Sequence, residues 1–253
     1  MKLLNGNCLE LMKDIPDGSV DLVLCDPPYG TTDCKWDSVL PFDQLWAEYN
    51  RLLKPNGAAV LFAAQPFTTQ LINSNRKDFR YCWYWMKNQP TGFTFAKYQP
   101  LRKVEDICVF YKKMPTYNPQ GLQAIENPKT RKRKKERKDH IYKMSTLMNE
   151  YTPRFTNYPK NVLQFNTERG LHPTQKPVPL LEYLVKTYTN PGDTVLDNCM
   201  GSGSTGVAVK RVGGRHFIGI EQNQDYFEIA QKRIGEEKHE NHDERVGCSF
   251  GGA

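Results

Sequence analysis

Two short stretches of the sequence carry residue types that could do chemistry. The first is Asp26-Pro27-Pro28-Tyr29, which directly follows the apolar residues 22–25. Proline fixes its own φ angle and restricts the residue before it, so the Asp26 carboxylate is held in one direction. Neither proline nitrogen can donate a hydrogen bond, which leaves the carboxylate and the Pro27 carbonyl as acceptors for an amino group. Tyr29 adds a flat ring on which a base could stack.

The second stretch is residues 194–209, TVLDNCMGSGSTGVAV, which contains a G-x-G-x-x-G pattern formed by Gly201, Gly203 and Gly206. Glu221 ends the next apolar run, 20 residues after Gly201. In nucleotide-binding loops of this kind, the glycines let the backbone approach the ligand, and the acid binds ribose hydroxyls. A tight turn between a strand and a helix is the alternative interpretation.

Asp197 indicates which nucleotide this loop would bind. Its carboxylate lies four residues before Gly201, where it would repel a pyrophosphate and attract a cationic group. S-adenosylmethionine carries an ammonium, a sulfonium and a ribose, and it has no phosphate. The charges therefore favour S-adenosylmethionine over a dinucleotide.

Alternating apolar patterns predict the elements that position these two stretches. Strands are predicted at residues 2–4, 20–25, 58–64, 79–87, 106–113, 194–197 and 216–220, and helices at residues 9–15, 42–54, 178–188, 205–212 and 224–234. This alternation predicts an α/β fold with a mainly parallel, doubly wound sheet and helices on both faces. Ligands bind at the carboxyl ends of the strands in such sheets, where both stretches lie.

The positive charge of the chain is concentrated in one segment. The net charge is +7 over 253 residues, and residues 129–138, KTRKRKKERK, hold eight basic residues and one acid. The remaining residues are therefore formally neutral. Contact with phosphates is one interpretation of the cluster, and a solvated loop or a nuclear-localisation signal are the others.

Cysteine spacing and hydropathy bear on the compartment. The seven cysteines contain no C-x-x-C pair, so the sequence predicts reduced thiols, no metal site and a cytoplasmic protein; they are Cys8, Cys25, Cys34, Cys82, Cys108, Cys199 and Cys248. No apolar run is long enough to cross a bilayer, so no membrane partner is expected.

Together with the glycine loop, Asp26-Pro27-Pro28-Tyr29 resembles the amino-methyltransferases of DNA. The resemblance is to their β group, in which this motif precedes the glycine loop. The segment HPTQKP, residues 172–177, is similar to the family segment that lines the methionine pocket. The resemblance covers residues 1–112 and 160–235, and it implies a Rossmann-like, S-adenosylmethionine-dependent methyltransferase.

The resemblance also implies roles for individual residues. Asp26 and the Pro27 carbonyl would accept hydrogen bonds from the target amine, and Tyr29 would stack on the base, with Pro28 completing the catalytic motif. The implied cofactor-binding residues are Asn7, Asp26, Thr174, Gln175, Lys176, Asp197, Cys199, Gly201, Ser202, Gly203, Ser204 and Glu221. Residues 1–112 would form the catalytic half, 113–160 a basic target-recognition insert, 161–235 the cofactor-binding half and 236–253 a tail.

Double-stranded DNA is the implied substrate, with the target base flipped out of the helix. The candidate phosphate contacts are Lys129, Arg131, Lys132, Arg133, Lys134, Lys135, Arg137 and Lys138. Aspartate at the first motif position favours N6 of adenine, with N4 of cytosine as the alternative. Methylation of a protein glutamine and an inactive binding subunit are the competing functions. A homodimer and a cognate restriction endonuclease, as in a restriction-modification system, are further partners that the resemblance allows.

Overall fold

The computed structural model describes residues 1–30, 38–132, 150–168 and 175–237. Two compact units divide the chain. The larger one contains Met1–Asn118 and Asn161–Ala253, and the smaller one is Pro119–Lys160. The sequence had placed the start of the insert at residue 113, whereas residues 113–118 belong to the larger unit. Asn118 contributes to this because its side-chain amide donates to the carbonyl oxygens of Lys186 and Thr189.

The described strands are β1 Lys2–Asn5, β2 Val20–Cys25, β3 Leu53–Ala63, β4 Phe79–Thr91, β5 Arg102–Phe110, β6 Gln123–Ala124, β7 Arg131–Lys132, β8 Glu150–Tyr151, β9 Phe155–Thr156, β10 Val162–Gln164, β11 Thr194–Asp197 and β12 His216–Glu221. The described α-helices are α1 Cys8–Leu11, α2 Phe42–Leu52, α3 Phe67–Ser74, α4 Val178–Tyr188, α5 Ser204–Val212 and α6 Gln224–Glu236. Eight of these strands form one sheet in the order β1-β12-β11-β2-β3-β5-β4-β10. Within that sheet β5 runs antiparallel to both of its neighbours, and the other pairings are parallel.

Helices cover both faces of the sheet because its central strands are apolar on both sides. Leu22 and Leu24 pack in the core with α4, α5 and α6. Val23 and Cys25 point the other way and pack in the core with α1, α2 and α3. The predicted doubly wound, mainly parallel α/β fold is therefore confirmed.

Several predicted boundaries were wrong. The predicted helix 9–15 is a short helix, α1, followed by a 3₁₀ turn at Met12–Asp14. Helix α2 ends at Leu52, and β3 begins at once because Leu53 pairs with Val20. Helix α3 and strand β10 were not predicted, since both are too short to show a clear apolar period.

In the smaller unit the described residues form two antiparallel strand pairs. Strand β6 pairs with β9, and β7 pairs with β8. Backbone pairing thus orders part of a segment whose composition alone is typical of a linker. Among the described residues, no helix combines the length and apolar character that a membrane crossing requires.

Candidate active site

A cleft of about 1490 Å³ opens at the carboxyl ends of β2, β11 and β12, and residues of β4 and β5 form part of its wall. Parallel pairing of Val23 with Leu196 places the ends of β2 and β11 side by side. The structure therefore brings the two chemical stretches together, although 175 residues separate Asp26 from Gly201. The predicted residues that line the cleft are Asn7, Asp26, Pro27, Pro28, Tyr29, Gln175, Lys176, Asp197, Cys199, Gly201, Ser202, Ser204 and Glu221. Gly203 lies behind the lining, and Thr174 lies outside the described residues.

Both carboxylate oxygens of Asp26 accept a hydrogen bond. Lys176 Nζ lies 2.5 Å from Oδ2, and Tyr29 Oη lies 2.7 Å from Oδ1. The sequence had indicated that this carboxylate lacks backbone donors of its own; two side-chain donors occupy it instead. Lys176 was predicted to close the methionine pocket, and in the structure it is the buried ion-pair partner of Asp26.

Glu105 and Lys87 complete this group, and sequence reasoning missed both. Lys176 Nζ lies 2.9 Å from Glu105 Oε1, and Lys87 Nζ lies 2.6 Å from Glu105 Oε2. Tyr29 Oη is also 3.3 Å from Glu105 Oε1. We call Asp26, Tyr29, Lys87, Glu105 and Lys176 the transfer cluster. Alternation along β5 could have identified Glu105 from the sequence. It lies on the same strand face as the buried Ile107 and Val109, and an acid at such a position is unusual.

The charges of the transfer cluster balance. Two carboxylates face two ammonium groups, and all four line the cleft. Burial disfavours an ionised Glu105, but Lys176 and Lys87 more than offset it, so its pKa is lowered. Burial raises the pKa of Asp26, which shares Lys176 and also feels the charge of Glu105. Lys176 remains charged, because the two carboxylates outweigh its burial and raise its pKa.

Tyr29 is a neutral donor with one covered face. Burial and the neighbouring Asp26 and Glu105 raise the pKa of its hydroxyl well above the ordinary value, so the phenol keeps its hydrogen. Its ring stacks on Phe67 of α3 with centroids 4.9 Å apart. Helix α3, absent from the sequence prediction, thus supports the aromatic ring of the motif.

The glycine loop forms the opposite side of the cleft. Gly201 and Gly203 have φ angles of 51° and 81°, a region that side chains other than glycine rarely adopt. A Cβ at Gly206 would lie 2.3 Å from Ile234 Cδ1, so α5 approaches α6 closely there. Arg233 of α6 donates to the Ser202 carbonyl oxygen at 2.6 Å and to its hydroxyl at 3.0 Å, which fixes the loop from behind.

The ligand-facing groups on this side are acceptors. Glu221 accepts from the backbone N–H groups of Gly201 and Asn223, each at 2.8 Å. Asp197 accepts from the Cys199 N–H at 3.1 Å, and burial raises its pKa to about 7. The Gln175 side-chain oxygen is buried and has no donor among the described residues. We call Asp197, Gln175, Glu221 and the glycine loop the acceptor side. These groups fit a ligand that brings a cation and hydroxyls, and they do not fit a phosphate.

Three residues in the wall of the cleft, Asn7, Asn198 and Cys199, have structural partners. Asn7 caps α1, with its side-chain oxygen accepting from the Leu9 N–H at 2.9 Å. Asn198 accepts from the buried Tyr49 hydroxyl at 2.6 Å. Its amide donates to Cys199 Sγ at 3.5 Å. These contacts tie the wall of the cleft to α1 and α2.

The basic cluster is only partly described. Lys129, Arg131 and Lys132 are exposed, and Lys132 Nζ lies 3.4 Å from Glu150 Oε1 across the β7–β8 pair. The other predicted phosphate contacts lie outside the described residues: Arg133, Lys134, Lys135, Arg137 and Lys138.

The relatives that comparison with known proteins finds are methyltransferases. The profile of the DNA methylase family, which covers N6 and N4 enzymes, matches residues 20–232. The type II methyltransferase M.HpaI of Haemophilus parainfluenzae is 31% identical over 93% of this chain and 74% of its own length. The type II methyltransferase M.HinfI of Haemophilus influenzae is 27% identical over 93% of this chain and 68% of its own length.

Solved structures agree in fold. The complex of M1.HpyAVI with its SAM ligand superposes with a TM-score of 0.63 at 25% identity, covering 92% of this chain and 98% of that one. The cytosine-N4-specific PvuII DNA methyltransferase superposes with a TM-score of 0.66 at 18% identity, covering 91% of this chain and 85% of that one. The second likeness concerns the fold alone.

Proposed function

This chain belongs to the DNA methylase family, and from that premise we propose that it transfers a methyl group from S-adenosylmethionine to N6 of adenine in double-stranded DNA. The observation that carries the proposal is the meeting of two groups in one cleft. The Asp26-Pro27-Pro28-Tyr29 turn follows β2, and the acceptor side follows the neighbouring β11 and β12. The acceptor side would bind the methyl donor, and the turn would bind the amine that receives the methyl group.

The acceptor side fits the cofactor. Asp197 and the buried Gln175 oxygen are suited to an ammonium, and Glu221 is suited to ribose hydroxyls. When bound, S-adenosylmethionine supplies an electrophilic methyl group carried on a sulfonium. The chain itself orients the ligand, because Arg233 and the backbone N–H groups hold the loop in one shape.

The transfer cluster fits the nucleophile. An exocyclic amine of a base is a poor nucleophile, since its lone pair is delocalised into the ring. Asp26 and the Pro27 carbonyl accept its two hydrogens, which localises the lone pair on nitrogen and directs it at the methyl group. The bond between the methyl carbon and sulfur would break as nitrogen bonds to that carbon, leaving a neutral thioether. The nitrogen would then lose one proton, and Asp26, whose pKa is raised, is the proposed acceptor.

Adenine is preferred because aspartate occupies the first motif position, a position where cytosine-N4 enzymes more often carry serine. The amine lies inside a duplex, so the base must leave the helix, and Tyr29 is the ring placed to receive it. The basic residues of the insert would contact phosphates on either side. A homodimer and a cognate endonuclease remain predictions.

Incubation with radiolabelled S-adenosylmethionine and unmethylated genomic DNA, followed by nucleoside separation, tests the proposal. We expect the label in N6-methyladenine, and the same DNA methylated beforehand by this protein should take up no more. Label in N4-methylcytosine would overturn the choice of base. Cofactor binding without any labelled nucleoside would favour an inactive binding subunit.

A further inference from the structure

The proposed function leaves one buried acid without a role. Glu105 lies on β5, outside the Asp26-Pro27-Pro28-Tyr29 turn and outside the glycine loop, yet it is buried and lines the cleft. Burying a carboxylate is costly unless it is paired, and Glu105 is paired on both oxygens. Such an arrangement at a reacting centre calls for an explanation beyond strand packing.

Glu105 Oε1 faces the same two donors as Asp26. Lys176 Nζ reaches Asp26 Oδ2 at 2.5 Å and Glu105 Oε1 at 2.9 Å. Tyr29 Oη reaches Asp26 Oδ1 at 2.7 Å and Glu105 Oε1 at 3.3 Å. A phenol has one hydrogen and donates to one acceptor at a time, so Glu105 Oε1 is a second acceptor within reach of that hydrogen.

This sharing matters because both oxygens of Asp26 are occupied. A carboxylate oxygen that already binds a buried ammonium or a phenol is a weaker acceptor for a further donor. Asp26 accepts one hydrogen of the target amine in the proposed mechanism, so one of the two present donors has to release its oxygen. Moving Lys176 towards bulk water would leave Asp26 without a counter-ion in a buried site, whereas moving it towards Glu105 keeps every charge paired.

We propose that Glu105 is a positioning residue for methyl transfer, whose Oε1 takes over the hydrogen bond of Lys176 or Tyr29 when the target amine occupies Asp26. This inference rests on the proposed function. Lys87 binds the other oxygen, Oε2, at 2.6 Å, so it holds the Glu105 carboxylate in place without competing for Oε1. Glu105 touches neither the methyl group nor the base, and it acts through Asp26.

Substitution of either partner of the Lys87–Glu105 ion pair distinguishes a positioning role of Glu105 from a purely structural role of the pair. Glu105→Gln and Lys87→Met both remove the Lys87–Glu105 ion pair, but only the first weakens the second acceptor. We expect Glu105→Gln to lower the single-turnover transfer rate about 10- to 100-fold at saturating cofactor and DNA, the size of effect expected for misplaced catalytic groups. Lys87→Met keeps Glu105 Oε1 as an acceptor but leaves Oε2 of a buried carboxylate without its ion pair, so it should lower the rate less than Glu105→Gln does.

The dependence of the transfer rate on pH is an independent test of this role. The titratable and charged groups around Asp26 are Cys25 and Tyr29 on its own segment, Lys87, Glu105, Lys176 and Asp197. We call the fall of the transfer rate at low pH, where Asp26 becomes protonated, the acidic limb of the pH profile. The negative charge of Glu105 raises the pKa of Asp26, so Glu105→Gln should move this limb to lower pH. Lys87→Met removes a positive charge and should move the limb to higher pH.

Glu48→Gln serves as the matched control, because Glu48 is a partly buried glutamate paired with Arg51 at 2.6 Å on α2, away from the cleft. Glu48→Gln should change neither the single-turnover transfer rate nor the position of the acidic limb of its pH profile. Equal losses of rate in Glu105→Gln and Lys87→Met, or limbs that do not move in opposite directions, would show that the ion pair is only structural and overturn the inference. If Glu105→Gln does not fold, Glu105→Asp keeps the charge but shortens the side chain by one methylene, and an unchanged transfer rate in that variant would also overturn the inference. An original protein that methylates no adenine refutes the proposed function instead.

Discussion

The buried carboxylates on the two sides of the cleft have different kinds of partners. In the transfer cluster the protein supplies its own cations, with Lys87 and Lys176 facing Glu105 and Asp26. On the acceptor side the described partners of Asp197 and Glu221 are neutral. They are backbone N–H groups and, for Asp197, also the Thr205 hydroxyl and the Cys25 thiol. Burial shows its effect there, since the pKa of Asp197 is raised to about 7.

This difference fits the ligands proposed for the two sides. A neutral amine brings no charge, so the acids that receive it must be neutralised beforehand by lysines. A cationic cofactor brings its own charge, so an acid on that side gains most when no protein cation has already paired with it. We therefore expect damage to the transfer cluster to appear in the rate, and damage to the acceptor side to appear in cofactor affinity.

Asp26→Ala is the strongest test of that division. Removal of the acceptor proposed to orient the amine should reduce the single-turnover transfer rate by about 10³-fold or more. Lys176 keeps Glu105 as a partner, so the fold should survive, and the cofactor dissociation constant should change little. Stopped assays of labelled DNA give the rate, and calorimetry gives the affinity. Retained turnover would mean that the reaction takes place elsewhere in the molecule.

Asp197→Asn should show the reverse pattern. Loss of a charged hydrogen bond to the cofactor ammonium is expected to weaken binding about 10- to 100-fold. The rate at saturating cofactor should fall much less. Asparagine is close in size and keeps one side-chain oxygen as an acceptor, so the substitution mainly removes the charge. An unchanged dissociation constant would contradict an acceptor side built for a cation.

The affinity of the original protein for the cofactor should also depend on pH. The raised pKa of Asp197, about 7, means that its carboxyl is largely protonated below that pH in the free protein. A cationic ligand binds the ionised form, so affinity should fall as pH decreases through this value, by about tenfold per pH unit once well below it. Titrations on both sides of the pKa would measure the effect, and in Asp197→Asn the slope should disappear.

These two sides were not equally visible in the sequence. Asp26, Asp197 and Gly201 lie in local patterns, and a chain neighbourhood of a few residues is enough to identify them. Glu105 has no such pattern, because its meaning depends on Lys176, which is 71 residues away in the chain and adjacent in space. The antiparallel placement of β5 between β3 and β4 brings them together, and spacing along the chain does not reveal it.

The fold itself was more predictable than its exceptions. Apolar runs such as β11 and α4 were predicted with the bounds that the structure shows, since both are long enough or buried enough to carry a clear period. Helix α3 was missed, and with it the support that Phe67 gives to Tyr29. Tertiary contact, not local propensity, stabilises an eight-residue helix of this kind.

A substitution in the glycine loop can change the packing of the acceptor side without changing its charges. A methyl group at Gly206 would meet Ile234 at 2.3 Å and Phe217 at 2.8 Å, so Gly206→Ala should lower the free energy of unfolding by about 2 kcal/mol. Gly235→Ala is the matched control, as Gly235 lies in α6 with nothing within 4 Å of an added Cβ. It should raise stability by about 0.5–1 kcal/mol. Thermal and urea unfolding measure both, and equal effects would contradict the close approach of α5 to α6.

The smallest effect is expected from an exposed charge, which differs from the buried pairs of the cleft. Lys132 pairs with Glu150 while its side chain is 83% exposed, so Lys132→Ala should change stability by less than about 0.5 kcal/mol. If Lys132 contacts a phosphate, the slope of log affinity for duplex DNA against log salt should become shallower by about 0.9. Lys13→Ala is the matched control, because Lys13 is an exposed lysine that pairs with Glu10 at 3.1 Å outside the insert. An equal slope in both variants would mean that Lys132 of the basic segment is only a solvated surface charge, and that DNA affinity depends on other residues.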